Sequence, residues 1–330
     1  MLEKIDVSKG CSLYRMDTGN TIAGIIASTP ETRAIANDPK VMGVDYTRGL
    51  ARACSQILKA LAGNGLACLE EQETIVFNIL RGGLNFGLRE ALADAFGWNC
   101  HGSSFISAQR ARDDDSPEQW HIVENEYAKV YMPQTASIVI GDVVATGTSL
   151  EYAIKALVAE TERQGSRLRS VVFFTIGGPR ALEILKATDA LCRKTFPEYE
   201  NTTLVYLEGC FTVPVPSTPL QIKITGTDLV RLDAQMAPEF VASQYGDPAY
   251  PIQRCTIYDA GSRAFWTPEY LDDLHDYWTR VKALAKGGVS FETLVAERCP
   301  CLDLERFGPV VLDAVCDDQL AWIAGLRQNK

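Results

Sequence analysis

The chain has 330 residues and a formal net charge of −10, with 46% hydrophobic and 22% charged residues. This composition is typical of a globular protein with a sizeable core and excludes global disorder. A sequence pI near 5.0 argues against a broad nucleic-acid-binding surface. No apolar run approaches the ~20 residues of a membrane span, and residues 1–10 contain no apolar signal region, so we expect a cytoplasmic protein.

The ten cysteines are scattered along the chain. In a cytosolic protein this predicts reduced thiols, most of them small core residues. Only Cys299 and Cys301, with Cys316 behind them, hint at a metal site. One pair with a single intervening residue is a weak zinc signal, so the sequence assigns no metal ligand.

Short apolar runs alternate with helical patterns between residues 45 and 206. Apolar residues recur at three-four spacing over residues 45–62, which predicts an amphipathic helix. Continuous apolar runs predict buried strands, with helices between them. Strands are predicted at 74–80, 105–108, 137–140, 171–176 and 203–206, and helices at 85–96, 150–164 and 181–194. The alternation predicts an α/β fold with a doubly wound, mainly parallel sheet.

Other patterns divide the chain into regions. Residues 110–129 are polar and highly charged, which predicts a solvated loop or hairpin, or a mobile lid. Prolines between 212 and 254 predict an insertion of short elements. The apolar stripe of the tail predicts a helix packed on the core, and it contains Tyr270, Leu274, Tyr277, Trp278, Val281 and Leu284. We expect a helical N-terminal region (1–70) that packs on the core, a core (71–265) with that insertion, and a helical C-terminal extension (266–330).

The segment from Ser137 to Leu150 carries the clearest functional signal. A buried strand leads into Asp142, and the turn Ala145-Thr146-Gly147-Thr148-Ser149 opens the next helix. Backbone N–H groups and the helix dipole at such a turn favour a phosphate dianion, and Gly147 lets the backbone approach it. Open α/β sheets bind ligands at the carboxyl ends of their strands, where the Asp142 carboxylate suits sugar hydroxyls or a metal ion.

Other interpretations of this turn are weaker. It is neither a Walker loop nor a Rossmann fingerprint, because no lysine follows the glycine and three spaced glycines are missing. A plain helix N-cap by Thr148 or Ser149 is the remaining alternative. A cap alone does not require Asp142 and four small polar residues together.

Residues 138–149 resemble the phosphoribosyl-pyrophosphate (PRPP) motif of type I phosphoribosyltransferases. That motif has two acids before the loop, whereas Gly141 stands in place of the first acid here. The run Phe77-Asn78-Ile79-Leu80-Arg81-Gly82-Gly83-Leu84 resembles the pyrophosphate loop of the same family. Its physical logic is independent of the resemblance, because a guanidinium and two flexible glycines at a strand end can wrap a polyanion.

Two further segments resemble uracil phosphoribosyltransferases in particular. Residues 106–110 resemble the strand before their flexible loop, where Arg110 takes the place of an arginine that reaches the pyrophosphate. Residues 258–265 resemble their Gly-Asp-Ala-Gly-Asp-Arg-x-Phe signature beside the base, with Tyr258 for a glycine and Ser262 for an aspartate. The four motifs keep the family's order, so the resemblance implies the type I phosphoribosyltransferase fold, with the insertion near the base site.

The resemblance implies transfer of the 5-phosphoribosyl group from PRPP to a uracil-like nucleobase or another small nucleophile, with release of pyrophosphate. It implies Asp142, Asp259 and Arg110 as catalytic residues and Mg²⁺ bound mainly through PRPP. The implied substrate-binding residues are Arg81, Gly82, Gly83, Ala145, Thr146, Gly147, Thr148, Ser149 and Gly261. A homodimer without nucleic-acid or membrane partners is implied as well.

Two alternatives remain open. The departures at Gly141, Tyr258 and Ser262, together with the large insertion, also fit a regulatory protein that binds PRPP without turnover. The insertion beside the expected base pocket fits transfer to an unusual acceptor in specialised biosynthesis. The sequence does not identify the acceptor.

Overall fold

A sheet whose central strands are parallel runs through the middle of the protein. The computed structural model describes residues 2–8, 10–19, 22–80, 86–112, 120–124, 127–253 and 260–328. Its strands are β1 (Glu3–Ser8), β2 (Cys11–Arg15), β3 (Ala23–Ser28), β4 (Thr74–Leu80), β5 (Gly102–Ser107), β6 (Gln109–Arg112), β7 (Trp120–Glu124), β8 (Ala128–Lys129), β9 (Thr135–Val144), β10 (Arg167–Gly177), β11 (Asn201–Thr212) and β12 (Val230–Met236). Its helices are α1 (Pro30–Asn37), α2 (Gly43–Gly63), α3 (Leu88–Phe96), α4 (Thr148–Arg163), α5 (Arg180–Thr195), α6 (Pro238–Ser243), α7 (Ala249–Ile252), α8 (Ala260–Phe265), α9 (Thr267–Lys286), α10 (Phe291–Arg298) and α11 (Leu312–Gln328). Short 3-10 helices lie at Glu71–Glu73, Gln244–Gly246 and Leu304–Phe307.

The order of the strands indicates where a sheet of this kind binds ligands. The sheet runs β1-β2-β3-β11-β10-β9-β4-β5-β8, with β12 beside the end of β11. All pairs from β3 to β5 in this order are parallel. Five of these strands, β4, β5, β9, β10 and β11 in chain order, therefore lie in the doubly wound order 2-1-3-4-5. In such sheets ligands bind at the carboxyl ends of the strands where the order reverses, here between β4 and β9.

The predicted alternation of strands and helices is confirmed, and the predicted strand 74–80 is β4. Strand β9 extends past the predicted end at residue 140, because residues 141–144 stay paired with residues 174–177 of β10. Its central residues are completely buried, as a parallel strand covered on both faces requires. The α/β class and the mainly parallel sheet therefore follow from local apolar patterns.

Helix α2 crosses the sheet from its carboxyl edge to its amino edge. After α2 the chain passes the amino ends of the strands, where Ser137 and Ser170 donate side-chain hydrogen bonds to the Cys68 carbonyl oxygen at 3.0 Å. Thr203 donates in the same way to the Leu66 carbonyl at 2.6 Å. Ala51, in the amino-terminal half of α2, lies against Gly87, which follows the carboxyl end of β4, so this half of α2 lies on the carboxyl side of the sheet.

The prediction of a helical region over residues 1–70 is wrong for the residues of β1, β2 and β3. Helices α1 and α2 follow, but β1, β2 and β3 extend the central sheet, and β3 pairs in parallel with β11. Ile25 and Ile26 are fully buried, so both faces of β3 are covered, and β3 has a strand on each side. The short apolar run of β3 has a central-strand pattern, but β1 and β2 mix polar and apolar residues.

Residues after 212 form short elements and then helices. Strand β12 and helices α6 and α7 occupy the proline-rich segment, and Arg298 of α10 forms a buried ion pair with Asp228 at 3.5 Å. On α9, Trp278 and Val281 are fully buried, so the predicted packing of the apolar stripe on the core is confirmed. That these segments are additions to a family core stays a prediction. Among the described residues, no helix is both long and apolar enough to cross a membrane.

Candidate active site

The segment 145–149, called the phosphate loop after its expected role, joins β9 to α4 at the carboxyl edge where the strand order reverses. Gly147 is the N-cap of α4 and has a left-handed backbone, with φ of 77°. No side chain caps the helix through a hydrogen bond there, so the alternative of a plain Thr148 or Ser149 cap is wrong. The Oγ1 atoms of Thr146 and Thr148 lie 3.3 Å apart at the start of the helix. The arrangement matches a turn whose backbone and hydroxyl groups can surround an anion.

The turn between β10 and α5 supports this loop from the side. The Gly178 N–H donates to the Val144 carbonyl oxygen at 2.9 Å. A Cβ atom on Gly177 would lie 2.6 Å from the same oxygen, so the two backbones touch. Helices α4 and α5 therefore begin side by side at the carboxyl edge.

Asp142 is the acidic residue on β9 that precedes the loop in the chain. It is 9% exposed, near the end of β9, and its Oδ1 atom accepts a hydrogen bond from the Val143 N–H at 2.9 Å. It pairs in register with Thr175 of β10, so the two side chains leave the same face of the sheet. Since β9 ends two residues later, the carboxylate lies just below the phosphate loop.

Gly141 has no room for a side chain. A Cβ atom there would lie 2.5 Å from Cγ and 2.8 Å from Cβ of Phe86, whose ring is fully buried. Phe86 is followed by Gly87, which has a left-handed backbone and packs against Ala51 of α2. The ring therefore fills the position at which the family motif has its first acid, which explains the glycine.

Several predicted site residues lie outside the described residues. Arg81, Gly82, Gly83 and Asp259 are among them. Strand β4, which ends just before Arg81, pairs with β9, so the topology leads the chain to the carboxyl edge beside the phosphate loop.

Arg110 belongs to β6, and only its backbone is described. Strands β6 and β7 pair antiparallel and run beside α4, so a hairpin occupies part of the charged segment 110–129. The hairpin interpretation of that segment is confirmed, whereas closure as a lid stays a prediction.

The segment that resembles the uracil signature includes α8, which contains Gly261. Arg263 is fully buried and donates to the carbonyl oxygens of Ile35 at 2.9 Å, Asp38 at 2.8 Å and Val41 at 2.7 Å. These bonds satisfy carbonyls at the carboxyl end of α1, so Arg263 is structural. Its guanidinium also lies 4.9 Å from the ring centroid of Tyr46, near the amino end of α2. Helix α8 therefore lies near the carboxyl edge of the sheet, as the phosphate loop does.

Sequence reasoning missed Arg180, which lies directly beside the phosphate loop. A Cβ atom on Gly147 would lie 2.9 Å from Cγ of Arg180. The guanidinium donates to Glu183 at 2.7 Å and to Glu151 of α4 at 3.0 Å. The hydrogen bond with Glu183 is the main reason that the pKa of Arg180 is raised. The glycine pair before Arg180, at a strand-to-helix turn, was the signal that could have drawn attention to it.

Sequence reasoning also missed a buried carboxyl group in the second half of β11. Glu208 is completely buried and has a left-handed backbone, with φ of 66°. Its Oε1 atom accepts hydrogen bonds from the Thr32 hydroxyl and from the Thr29 N–H, at the amino end of α1. Burial raises its pKa to about 7, against the lowering effect of these hydrogen bonds. The group lies on β11, two strands away from β9, and has no contact with the phosphate loop in the described hydrogen bonds.

The cysteine pair offers no metal centre in the described part of the chain. The Sγ atoms of Cys299 and Cys301 lie 3.7 Å apart, and burial raises the pKa of Cys299 to about 12. No group of three or more histidine, cysteine, aspartate or glutamate side chains converges among the described residues.

Comparisons with known proteins give only distant structural likenesses. No protein family profile matches the chain, and no curated protein matches its sequence. A hypoxanthine phosphoribosyltransferase from Staphylococcus aureus is 12% identical, over 51% of this chain and 76% of that chain, with a TM-score of 0.29. A hypoxanthine-guanine phosphoribosyltransferase from Bacillus anthracis is 13% identical over 41% and 70%, with a TM-score of 0.26. A hypoxanthine phosphoribosyltransferase from Trypanosoma cruzi is 12% identical over 60% and 95%, with a TM-score of 0.26.

Likenesses at TM-scores this low do not assign a fold. They also give no support to uracil phosphoribosyltransferases as the nearest relatives. The interpretation of the site therefore depends on the topology of this sheet and on the residues at its carboxyl edge.

Proposed function

We propose that the protein is a phosphoribosyltransferase that transfers the 5-phosphoribosyl group from PRPP to a nucleobase-like acceptor or another small nucleophile. The observation that carries the proposal is the loop 145–149, which opens α4 at the switch point of the sheet directly after Asp142. A carboxylate followed by a phosphate cradle suits a phosphorylated sugar.

The loop binds the 5′-phosphate. Thr146, Thr148 and Ser149 supply hydroxyls, and the backbone N–H groups at the start of α4 point towards the anion. A glycine is needed at position 147 because the turn is left-handed and because a side chain would collide with Ile184 and Arg180. Ala145 contributes backbone alone, and Asp142 accepts a hydrogen bond from a ribose hydroxyl.

The pyrophosphate leaves on the side of β4 and β5. Arg81 with Gly82 and Gly83 follows β4 in the chain, and Arg110 of β6 follows β5, so both arginines come after strands on the β4 side of the switch point. The ribose carbon gains positive charge as its bond to pyrophosphate breaks, while negative charge grows on the leaving group. Catalysis then depends on positioning and on cations that stabilise the leaving group.

Magnesium fits this site as a companion of the substrate. Asp142 offers one carboxylate near the loop, and no cluster of three acidic, histidine or cysteine ligands exists among the described residues. Mg²⁺ usually keeps several of its waters. Its other ligands are one or two protein carboxylates and the phosphates of the substrate. When bound, it would neutralise charge on the pyrophosphate, with Asp142 as its protein neighbour.

The acceptor faces the segment around Asp259 and Gly261. The proposal includes a uracil-like base, because residues 258–265 resemble the uracil enzymes, and it also includes purine bases. Arg263 of that segment donates its hydrogen bonds to backbone carbonyls of α1 and of the loop after it. We therefore do not include Arg263 among the residues that bind the acceptor. A homodimer remains part of the proposal.

A second candidate function is a regulator that binds PRPP without turnover. The Phe86 ring over Gly141 favours it, because the site then lacks one acid of the motif. Transfer to an unusual acceptor is the corresponding enzymatic variant.

Calorimetric titration of the protein with PRPP and Mg²⁺ tests the proposal. Thr146→Ala should weaken binding, since it removes a hydroxyl from the loop. Thr195→Ala is the matched control. It removes a threonine hydroxyl at the carboxyl end of α5, whereas the loop lies beside the amino end of that helix. Wild-type protein without PRPP binding would refute both candidate functions.

Pyrophosphate release with a panel of uracil, hypoxanthine and other nucleobases then separates the candidates. Turnover with any acceptor supports the enzyme and excludes a purely regulatory role. Binding without turnover supports the regulator.

A further inference from the structure

Arg180 joins the helix that begins at the phosphate loop to the helix beside it. Its guanidinium donates to Glu151, in the first turn of α4, at 3.0 Å, and to Glu183, on its own helix α5, at 2.7 Å. The side chain is 43% exposed and Glu151 is 40% exposed. Ion pairs with this exposure contribute little to global stability, so stability alone is a poor reason for the arrangement.

The stem of Arg180 lies against the one residue of the loop with a left-handed backbone. Its Cγ atom comes within 2.9 Å of the position that a Cβ of Gly147 would occupy, and Ile184 Cδ1 comes within 2.4 Å. The two side chains thus cover Gly147 from the α5 side. Covering this glycine limits the conformations open to the turn whose N–H groups face the phosphate.

Charge gives the guanidinium a second role. Glu151 is a carboxylate one turn from the proposed phosphate position, and like charges at that distance repel. Arg180 and Lys155 both donate to Glu151, at 3.0 Å and 2.9 Å. The hydrogen bond from Lys155 lowers the pKa of Glu151 most, and Arg180 lowers it further, so the carboxylate stays ionised and these two cations neutralise it.

We propose that Arg180 is a positioning residue for the 5′-phosphate of PRPP, which it serves by packing on Gly147 and by neutralising Glu151. The inference rests on the proposed function, because it needs a phosphate in the loop. It assigns Arg180 no contact with the substrate. Lys155 shares the neutralising role but not the packing role, since it does not approach Gly147 in the described contacts.

Calorimetry with PRPP and Mg²⁺, together with thermal unfolding, tests the inference on four variants. Arg180→Ala should weaken PRPP binding about tenfold, a loss typical of a displaced binding group, while the melting temperature stays close to that of wild type. Arg180→Lys keeps the stem and one ion pair, so its affinity should return to within about twofold of wild type. Arg180→Met keeps only the apolar stem, so its affinity for PRPP should lie between those of Arg180→Ala and Arg180→Lys.

Lys155→Ala is the matched control, because it removes the other cation from Glu151 and leaves the cover over Gly147 intact. It should weaken binding less than Arg180→Ala does. Equal affinity of Arg180→Ala and wild type would overturn the inference and leave the proposed function standing. Arg180→Lys as weak as Arg180→Ala would also overturn it, in favour of direct phosphate binding by the guanidinium. Absence of PRPP binding by wild type would refute the proposed function and, with it, this inference.

Discussion

The ring of Phe86 lies directly against the backbone of Gly141, with its Cγ atom 2.5 Å from the position of a Cβ there. The contact joins the chain after β4 to the middle of β9. Because no side chain fits at residue 141 while Phe86 stays in place, Asp142 is the one acidic residue that this part of β9 can offer to the proposed ribose site.

Gly141→Asp should therefore destabilise the protein strongly. Overpacking of a core costs about 1–3 kcal/mol, and a desolvated carboxylate adds to that loss. Phe86→Ala alone should cost about 3–5 kcal/mol through the cavity that it leaves. The double variant should lose less than the sum of the two single losses, because each change relieves the other. Urea unfolding measures all three, and strictly additive losses would contradict the contact.

Asp142→Asn should weaken PRPP binding without changing the fold. The substitution keeps the shape of the side chain but removes the charge that a ribose hydroxyl would meet. Hydrogen bonds to charged groups contribute about 1.5–3 kcal/mol, which corresponds to roughly 10- to 100-fold in affinity. Thr175→Val is the control, since Thr175 is the register partner of Asp142 and its buried hydroxyl has no hydrogen-bond partner among the described residues. Equal affinities of Asp142→Asn and wild type in calorimetry would remove Asp142 from the site.

Gly147→Ala should cost more stability than an alanine at another left-handed glycine. Gly165 has φ of 69° and open space around its Cβ position, so Gly165→Ala reports backbone strain alone, about 1–2 kcal/mol. At Gly147 the new methyl group also meets Ile184 and Arg180, which adds about 1–3 kcal/mol of overpacking. Thermal unfolding of the two variants gives the difference. Equal losses of stability in the two variants would show that a methyl group fits at position 147, which would contradict the contacts with Ile184 and Arg180.

Glu208 should make stability depend on pH. Burial raises its pKa from 4.5 to about 7 in the folded protein, so the folded state holds the proton more tightly than the unfolded state. This contribution is fully present below pH 4.5 and is lost as the pH rises through 7, with a size of about 3 kcal/mol. Glu208→Gln should remove that part of the pH dependence. Urea unfolding between pH 5 and pH 8 checks it, and identical slopes for wild type and variant would contradict the assignment.

The sequence was most informative where structure depends on neighbouring residues. Strand β4 and helix α2 were predicted almost to the residue, because a continuous apolar run and a three-four stripe are local signals. The strand, acid and small-residue turn that precede α4 were recognised in the same way, and phosphate binding by this turn stays a prediction.

What the sequence could not predict depends on contacts between distant segments. The pairing of Arg180 with Glu151, the cover of Phe86 over Gly141 and the burial of Glu208 against α1 all join separate elements. Periodicity carries no information about such pairs. The strands of the N-terminal region were missed for a related reason, since β3 becomes a central strand only through its pairing with β11.

That pairing has a consequence for the order in which the protein can fold during synthesis. Strand β3 leaves the ribosome long before β11, so its apolar residues Ile25 and Ile26 stay without their parallel neighbour while most of the sheet is still being made. The antiparallel pairs of β1, β2 and β3 can form early, but they leave one edge of β3 open. An open apolar edge is a site for aggregation or for a chaperone. The nascent chain is therefore most vulnerable before β11 emerges, although the finished molecule hides β3 between two strands.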